Sequence, residues 1–186
     1  MIQVILGLGS NSSYHGMGSL VLLRTACSLL SGLFDRMRYS SVYRTRAMYV
    51  TDQNDFYNAV VLGESDKTMT PRGLLGEIHR IETVLGRDRD REIRFGPRSM
   101  DIDIEFFNGQ HISEPDLEIP HPRLTERAFV LVPMLEICKK SADCIDMEQY
   151  ATALQELPDQ GVEYFMSAAD FLKTTEADNG TEYANR

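Results

Sequence analysis

The feature that most constrains this chain is a ten-residue stretch near its middle, Phe95 to Ile104. Its Gly96-Pro97 pair marks a turn, because glycine opens unusual backbone angles and proline cannot donate a hydrogen bond to a sheet. From Met100 onward, apolar and acidic residues alternate, as they do in a strand that faces a core on one side. The alternation predicts an apolar face made of Met100, Ile102, Ile104 and Phe106, and an acidic face made of Asp101, Asp103 and Glu105.

Two acids of this strand, Asp101 and Asp103, form a candidate metal site. Residues at i and i+2 of a strand lie roughly 6.6 Å apart and point the same way, so their carboxylates repel each other. Mg²⁺ removes that repulsion, since it often takes one or two carboxylates and leaves other positions to water and substrate phosphates. Arg98, three residues upstream, can meet the same phosphates. The alternative is a half-buried strand whose acidic face is simply solvated.

Length and charge limit the classes of protein that this chain can belong to. With 186 residues, we expect one domain over 1–172, followed by a disordered tail over 173–186 in which apolar residues are few. The formal net charge of −9 argues against broad binding to nucleic acid or acidic lipid, because both require a basic surface. An anionic ligand must therefore be held by a local cluster of basic residues.

The cysteines and the first residues of the chain favour a cytoplasmic protein. Cys27, Cys138 and Cys144 are odd in number and widely spaced, which suggests neither a disulfide framework nor a zinc site. The segment Met1–Leu6 lacks a charged start and is typical of a strand rather than a signal peptide. No apolar run approaches the length needed to span a membrane.

Periodicity and capping signals predict an α+β sandwich, in which helices pack on a mainly antiparallel sheet. In the segment Gly7-Leu8-Gly9-Ser10-Asn11 we expect a strand-to-helix turn rather than a phosphate loop, because it lacks a lysine and a complete glycine motif. Glu82 is expected toward the edge of its helix's apolar stripe, and Pro133 is expected to break the apolar segment Leu124–Glu136. Strands are predicted over Ile2–Leu8, Tyr39–Tyr43 and Phe56–Leu62, and helices over Ser19–Leu33, Thr70–Gly86 and Met147–Leu157.

A run of mixed charge leads from the second helix to the acidic strand. It contains the arginines Arg87, Arg89, Arg91, Arg94 and Arg98 and the acids Asp88, Asp90 and Glu92. Such runs are commonly solvated loops whose charges neutralise one another. Its position beside the aspartate pair favours a mobile lid over bound phosphates.

Six motifs occur in one order along the chain and together resemble one enzyme family. They are Gly9-Ser10-Asn11, Tyr43-Arg44-Thr45, Phe56-Tyr57-Asn58-Ala59, Glu82…Gly86-Arg87, Gly96-Pro97-Arg98…Asp101-Ile102-Asp103-Ile104, and Pro120-His121-Pro122-Arg123…Arg127-Ala128-Phe129 with the apolar residues that follow. The set is similar to that of the 6-hydroxymethyl-7,8-dihydropterin pyrophosphokinases of folate biosynthesis. The resemblance covers about Ile2 to Ile137.

The resemblance implies a ferredoxin-like α+β fold and a defined reaction. The family transfers the β,γ-pyrophosphoryl group of ATP to the hydroxymethyl oxygen of a reduced pterin and releases AMP. It implies two Mg²⁺ ions held by Asp101 and Asp103, with Arg87 and Arg98 acting on the phosphates during transfer. It further implies ATP contacts from Glu82, Arg89, Arg98, Ile104, His121 and Arg127, and pterin contacts from Thr45, Met48, Phe56, Asn58 and Phe129.

Several alternatives remain open at this stage. Phe56 and Phe129 could be plain core residues, and His121 a structural surface histidine. Arg46 stands where the family has a proline, and Ala47-Met48-Tyr49 replaces its usual neighbours, so the pterin loop departs from the pattern. From the resemblance as a whole, we expect a monomeric Mg²⁺-dependent pterin pyrophosphokinase. The competing hypotheses are a metal-dependent nuclease or another nucleotidyl transferase that uses the same aspartate pair, and a pterin- or nucleotide-binding module without catalysis.

Overall fold

The computed structural model describes residues 1–47, 52–66, 68–89, 96–138 and 147–173. Within these residues, six strands form one antiparallel sheet in the order β5-β1-β4-β3-β8, and β2 pairs with the far part of β4. A separate hairpin joins β6 to β7. The strands are β1 Ile2–Ser10, β2 Arg36–Tyr39, β3 Val42–Thr45, β4 Phe56–Ser65, β5 Asp101–Phe107, β6 Ile112–Glu114, β7 Leu117–Ile119 and β8 Glu163–Met166.

Helices cover both faces of the sheet. Helices α1, α2 and α5 contribute to a core on one face with Leu6, and helices α3 and α4 to a second core with Ile5 on the other face. Adjacent residues of β1 therefore serve opposite cores, as strand geometry requires. The predicted class, helices packed on a mainly antiparallel sheet, is confirmed. The helices are α1 Ser19–Leu30, α2 Pro71–Val84, α3 Ala128–Cys138, α4 Met147–Glu156 and α5 Ala168–Lys173, with a 3₁₀ turn at Leu124–Glu126.

Helix α2 begins and ends where its capping residues predict. The hydroxyl of Thr70 accepts a hydrogen bond from the Gly73 N–H at 3.1 Å, and Pro71 occupies the first helical position. After the helix, Gly86 has a φ of +92°, a conformation that favours glycine. The chain thus turns sharply out of α2 toward the segment that precedes β5.

The alternation predicted for β5 fails at Glu105. Leu6 pairs with Ile104 while Ile5 pairs with Phe106, so Glu105 is the extra residue of a bulge. The bulge sends Phe106 into the core beneath α3, whereas Ile104 stays in the opposite core. The prediction that both face the same way was wrong, because counting every second residue assumes an unbroken register.

Four other predictions about local structure were wrong. Strand β1 runs through to Ser10, so the expected turn is absent there; Gly7 and Gly9 instead admit neighbouring side chains close to the backbone. The strand expected over Tyr39–Tyr43 is interrupted at Ser40-Ser41, which separates β2 from β3. Helix α3 continues through Pro133, because burial of its apolar residues outweighs the one missing N–H. Helix α1 ends at Leu30, three residues earlier than expected.

Strand β8 and helix α5 were not predicted at all. Strand β8 adds to the sheet edge at β3, and α5 inserts the fully buried Phe171 into the first core. None of the described helices is long and apolar enough to cross a membrane. Cys27 and Cys138 are buried free thiols, and Cys144 lies outside the described residues. The predicted tail also lies outside them, apart from Lys173.

Candidate active site

A cleft lies where β5 begins, at the edge of the sheet. It joins an acidic and basic half to a half lined by aromatic and amide side chains. The first half contains Arg98, Asp101, Asp103 and Arg127, and the second contains Thr45, Arg46, Gln53, Phe56, Asn58 and Phe129, with Gly7, Leu8 and Gly9 of β1 between them. Residues far apart in the chain thus meet because β1 lies between β4 and β5 in the sheet.

The aspartate pair is held by arginines. Asp101 accepts a hydrogen bond from Arg98 Nη1 at 2.6 Å and a second from Arg87. Asp103 accepts one from Arg127 Nη1 at 2.8 Å. Both aspartates project from the same face of β5, as the alternation predicts, and both remain partly exposed to the cleft.

The two aspartates differ in acidity although they are two residues apart. Burial raises the pKa of Asp101, but Arg98 and Arg87 outweigh it, so this pKa lies below its usual value. Burial and the neighbouring charge of Asp101 raise the pKa of Asp103 to about 6, against the lowering effect of Arg127. The repulsion that the sequence predicts for such a pair therefore contributes to the raised pKa of Asp103.

Glu82 is fully buried, which corrects the expectation that it lies at the edge of its helix's apolar stripe. Strand β5 is the last strand of the sheet, and the Ile102 N–H donates to Glu82 Oε1 at 2.8 Å. Arg87 and Arg89 also donate to this carboxylate. Glu82 thereby links the end of α2, Arg87, Arg89 and strand β5. The rest of the mixed-charge run, residues 90–95, on which the predicted lid falls, lies outside the described residues.

The opposite half of the cleft is built around Asn58. Its amide donates to Thr45 Oγ1 at 2.9 Å, which fixes the plane of the amide. Gly9 lies opposite Asn58 in the register, and a side chain there would bring its Cβ within 3.2 Å of Asn58 Oδ1. Phe56 and Phe129 line the cleft and are only partly buried, and Phe129 also packs against the second core. Met48 lies outside the described residues.

His121 and Ile104 stand somewhat apart from the cleft. His121 follows the cis peptide bond Ile119–Pro120, and its Nε2 is 3.9 Å from Asp103 Oδ2. Burial, with help from Arg127, lowers the pKa of His121 to about 4, so the ring is neutral at pH 7. The side chain of Ile104 is packed in the first core, which leaves only its backbone for a ligand.

Three residues of this region had no role in the sequence interpretation. Asn11 accepts a hydrogen bond from the Arg98 N–H, Gln53 lines the cleft, and Glu105, two residues after Asp103, is fully buried. Asn11 could have been found, because it ends one of the six motifs. Glu105 could not, because its burial depends on the bulge against β1.

A sequence model of the 7,8-dihydro-6-hydroxymethylpterin-pyrophosphokinase family matches residues 5–139. The chain belongs to this family. The resemblance seen in the six motifs is therefore confirmed. The match spans all the site residues discussed above, from β1 to α3.

Individual relatives agree with the family match. The 2-amino-4-hydroxy-6-hydroxymethyldihydropteridine pyrophosphokinase of Bacillus subtilis is 38% identical over 138 residues, which cover 70% of this chain and 80% of the relative. That of Methylorubrum extorquens is 36% identical over 172 residues, covering 88% and 98%. A mitochondrial folate synthesis bifunctional protein of Arabidopsis thaliana is 38% identical over 142 residues, 76% of this chain but 24% of that protein.

Solved structures confirm the ferredoxin-like fold of the family. A crystal structure of an HPPK-DHPS in complex with substrates matches with a TM-score of 0.61 at 13% identity, covering 83% of this chain and 43% of that one. The wild-type HPPK-DHPS of Plasmodium falciparum matches with a TM-score of 0.56 at 15% identity, covering 83% and 46%. At this identity the likeness concerns the fold alone.

Proposed function

We propose that this chain transfers the pyrophosphoryl group of ATP to the hydroxymethyl oxygen of 6-hydroxymethyl-7,8-dihydropterin, giving the pterin diphosphate and AMP in folate biosynthesis. Family membership supports the reaction class. The observation that carries the proposal is the divided cleft: side chains suited to a flat heterocycle face an aspartate pair surrounded by arginines. The reaction needs both halves within one site.

The acidic half fits the two Mg²⁺ ions that the reaction implies. Asp101 and Asp103 would hold them with carboxylate oxygens, which are the ligands that Mg²⁺ prefers. Among the described residues, no group of three histidine, cysteine or acidic side chains is placed to hold a metal. A pair of acids suits a cation that takes its remaining ligands from phosphates and water. When bound, Mg²⁺ supplies charge neutralisation at the phosphates.

The arginines would bind and orient the triphosphate. Arg98 and Arg87 both reach Asp101, so two guanidinium groups lie beside strand β5, which supports this assignment. Guanidinium groups match phosphate geometry and take up the negative charge that develops during transfer. We assign Arg87 and Arg98 to the transferred phosphates. The remaining ATP contacts are assigned to Glu82, Arg89, the backbone of Ile104, His121 and Arg127.

The other half of the cleft would bind the pterin. A flat ring is held well between aromatic side chains, and amide hydrogen bonds at its rim supply specificity. We assign the ring contacts to Phe56 and Phe129 and the rim contacts to Asn58, Thr45 and Met48. The amide plane of Asn58, fixed by Thr45, supports this assignment.

We further infer that residues 1–172 act as one pyrophosphokinase domain, as a monomer in the cytoplasm. Both halves of the cleft come from a single chain. Phe171 packs back into the first core, which supports a domain boundary after α5. The two described cysteines are buried free thiols, as suits a reducing compartment.

Product analysis tests the proposed reaction. The purified protein is mixed with ATP, Mg²⁺ and 6-hydroxymethyl-7,8-dihydropterin, and the nucleotide product is separated and identified. AMP that requires both pterin and metal is the expected result. ADP as the main product, or AMP formed without pterin, would contradict pyrophosphoryl transfer.

Substitution of the aspartates tests the metal assignment. Asp101→Ala and Asp103→Ala should each lose nearly all turnover. Urea denaturation of each variant is measured alongside, because Asp101→Ala also removes an acceptor of Arg87 and Arg98, and Asp103→Ala removes one of Arg127. The matched control is Asp116→Ala, since Asp116 is an exposed acid that does not line the cleft. Near-wild-type turnover by either aspartate variant would refute the metal assignment.

A further inference from the structure

The motif Gly9-Ser10-Asn11 has no part in the reaction described above, yet Asn11 is tied to both sides of the cleft. Asn11 is 2% exposed. Asn11 takes part in two hydrogen bonds with Arg98 and three with the pair Gln53-Asn54. The two partner segments are far apart in the chain, and each carries a residue that lines the cleft.

The first connection fixes the backbone of Arg98. The Arg98 N–H donates to Asn11 Oδ1 at 2.8 Å, and the Asn11 N–H donates to the Arg98 carbonyl at 3.1 Å. This reciprocal pair holds one residue by both of its backbone groups. From that fixed position, the Arg98 guanidinium reaches Asp101 at 2.6 Å.

The second connection fixes the segment that enters β4. Asn11 Nδ2 donates to Gln53 Oε1 at 3.0 Å and to the Asn54 carbonyl at 3.1 Å. Asn54 Nδ2 donates back to the Asn11 carbonyl at 3.4 Å. Gln53 lines the cleft, and Phe56 follows three residues later. One amide thus uses its oxygen for the arginine half and its nitrogen for the aromatic half.

We infer that Asn11 is a positioning residue that fixes the spacing between the two halves of the cleft. The inference rests on the proposed function, in which the pterin hydroxymethyl group and the ATP phosphates approach from opposite halves. Transfer needs the attacking and leaving oxygens roughly in line, so a small change in spacing lowers the rate steeply. None of the hydrogen bonds of Asn11 goes to a side chain that is assigned to ATP or to the pterin. Its partners are the Arg98 backbone, the Gln53 side chain and Asn54.

The central test is Asn11→Ala, measured beside the wild type. We expect kcat to fall by about 100-fold, the effect of a misplacement near 1 Å in an oriented reaction. Dissociation constants for the pterin alone and for a nonhydrolysable ATP analogue alone should stay near wild-type values, because the substitution removes no side chain that is assigned to either ligand. Wild-type AMP formation is measured first, so that failure of the proposed reaction is recognised separately.

Two further variants separate positioning from stability. Gln3→Ala removes a buried side chain at the other end of β1, where Gln3 Nε2 donates to Glu64 at 2.9 Å, and should lower the melting temperature without lowering kcat. Asn11→Asp keeps the oxygen that Arg98 uses but places a carboxylate oxygen against the Asn54 carbonyl. Because cutting one connection already frees the spacing, its kcat should fall about as far as that of Asn11→Ala, by about 100-fold.

The inference fails if a folded Asn11→Ala protein keeps wild-type kcat while the wild type makes AMP. It also fails if either dissociation constant rises as much as kcat falls, since Asn11 would then support one half only. If Asn11→Ala does not fold, Asn11→Asp decides by the same kcat and binding measurements.

Discussion

Glu82 in helix α2 and Glu105 in strand β5 are both fully buried, and the molecule surrounds the two carboxyl groups in opposite ways. Glu82 accepts from the Ile102 N–H, from Arg87 and from Arg89. Neither oxygen of Glu105 has a hydrogen-bond partner among the described residues, and Arg127 Nη1 lies 3.9 Å away. One acid is held by three donors, while the other, as far as the described residues go, has only the distant charge of Arg127.

The difference shows that burial alone does not give a carboxyl group a role. Burial raises the pKa of Glu82, but Arg87 and Arg89 act against it. Burial and Asp103 raise the pKa of Glu105 to about 8, so this group is mostly protonated at pH 7. Glu82 can therefore hold Arg87 and Arg89 by hydrogen bonds, whereas Glu105 is buried mainly in its neutral, protonated form.

The largest expected effect comes from Glu82→Leu. Leucine favours a helix, so the change tests the lost carboxylate rather than helix propensity. It leaves the buried guanidinium of Arg87 with fewer partners and the Ile102 N–H without its acceptor, as breaking a buried ion pair does. We expect the free energy of unfolding to fall by about 3–5 kcal/mol, measured by urea denaturation.

Glu82→Gln is the matched control for that change, because it keeps the shape and one acceptor oxygen while removing the charge. It should lie between the wild type and Glu82→Leu in stability. Equal stability of Glu82→Leu and the wild type would mean that the three hydrogen bonds add nothing, and the contrast with Glu105 would disappear.

The second prediction is that Glu105→Leu stabilises the protein. The carboxyl group loses its hydration on folding and gains no hydrogen bond among the described residues, a cost of about 1–3 kcal/mol that leucine avoids. Urea denaturation at about pH 8 should recover a gain of that order. Glu105→Gln, which stays polar, should bring no gain. A destabilised Glu105→Leu protein would show that the carboxyl group has a partner.

The third prediction concerns pH. The folded-state pKa of Glu105, about 8, lies above its ordinary value of 4.5, so the folded protein binds this proton more tightly than the unfolded chain does. The stability it contributes is fully present below about pH 4.5 and is lost as the pH rises through 8. Wild type should therefore lose stability relative to Glu105→Leu between about pH 5 and 8. A difference that is flat across this window would place the folded-state pKa near its ordinary value.

The stability of wild type must be compared with that of Glu105→Leu at each pH, because other groups also titrate in this range. His121 acts in the opposite direction, because its folded-state pKa of about 4 lies below its ordinary 6.5, and its contribution is lost as the pH falls. Comparing the two proteins at each pH cancels such groups, provided that they titrate alike in both. The measurement is a set of urea denaturations of wild type and variant in matched buffers.

The comparison of Glu82 with Glu105 also shows which features of the site could be predicted from the sequence. Asp101 and Asp103 were predicted from local alternation, which needs only the strand and its core. The burial of Glu82 was not, because it depends on β5 being the last strand of the sheet. The burial of Glu105 was not, because it depends on a bulge set by β1. Asn58 and the aspartates line one cleft because β1 lies between β4 and β5 in the sheet. The resemblance to the family predicted that they share a site, whereas periodicity could not.

The smallest expected effect concerns Gly7, which pairs with Asp103 in the register and has the Glu105 carboxyl group packed over its Cα. A Cβ on Gly7 would stand 2.8 Å from Glu105 Oε1 and 3.4 Å from its Cγ, so the carboxyl group must move to admit it. Because that group has no hydrogen bonds to lose among the described residues, it should yield at a cost of only about 1 kcal/mol in Gly7→Ala. A double-mutant cycle with Glu105→Ala should recover most of this cost as coupling between the two sites. A cost of several kcal/mol would mean instead that the Glu105 carboxyl is held as firmly as that of Glu82, and the two acids would no longer differ in kind.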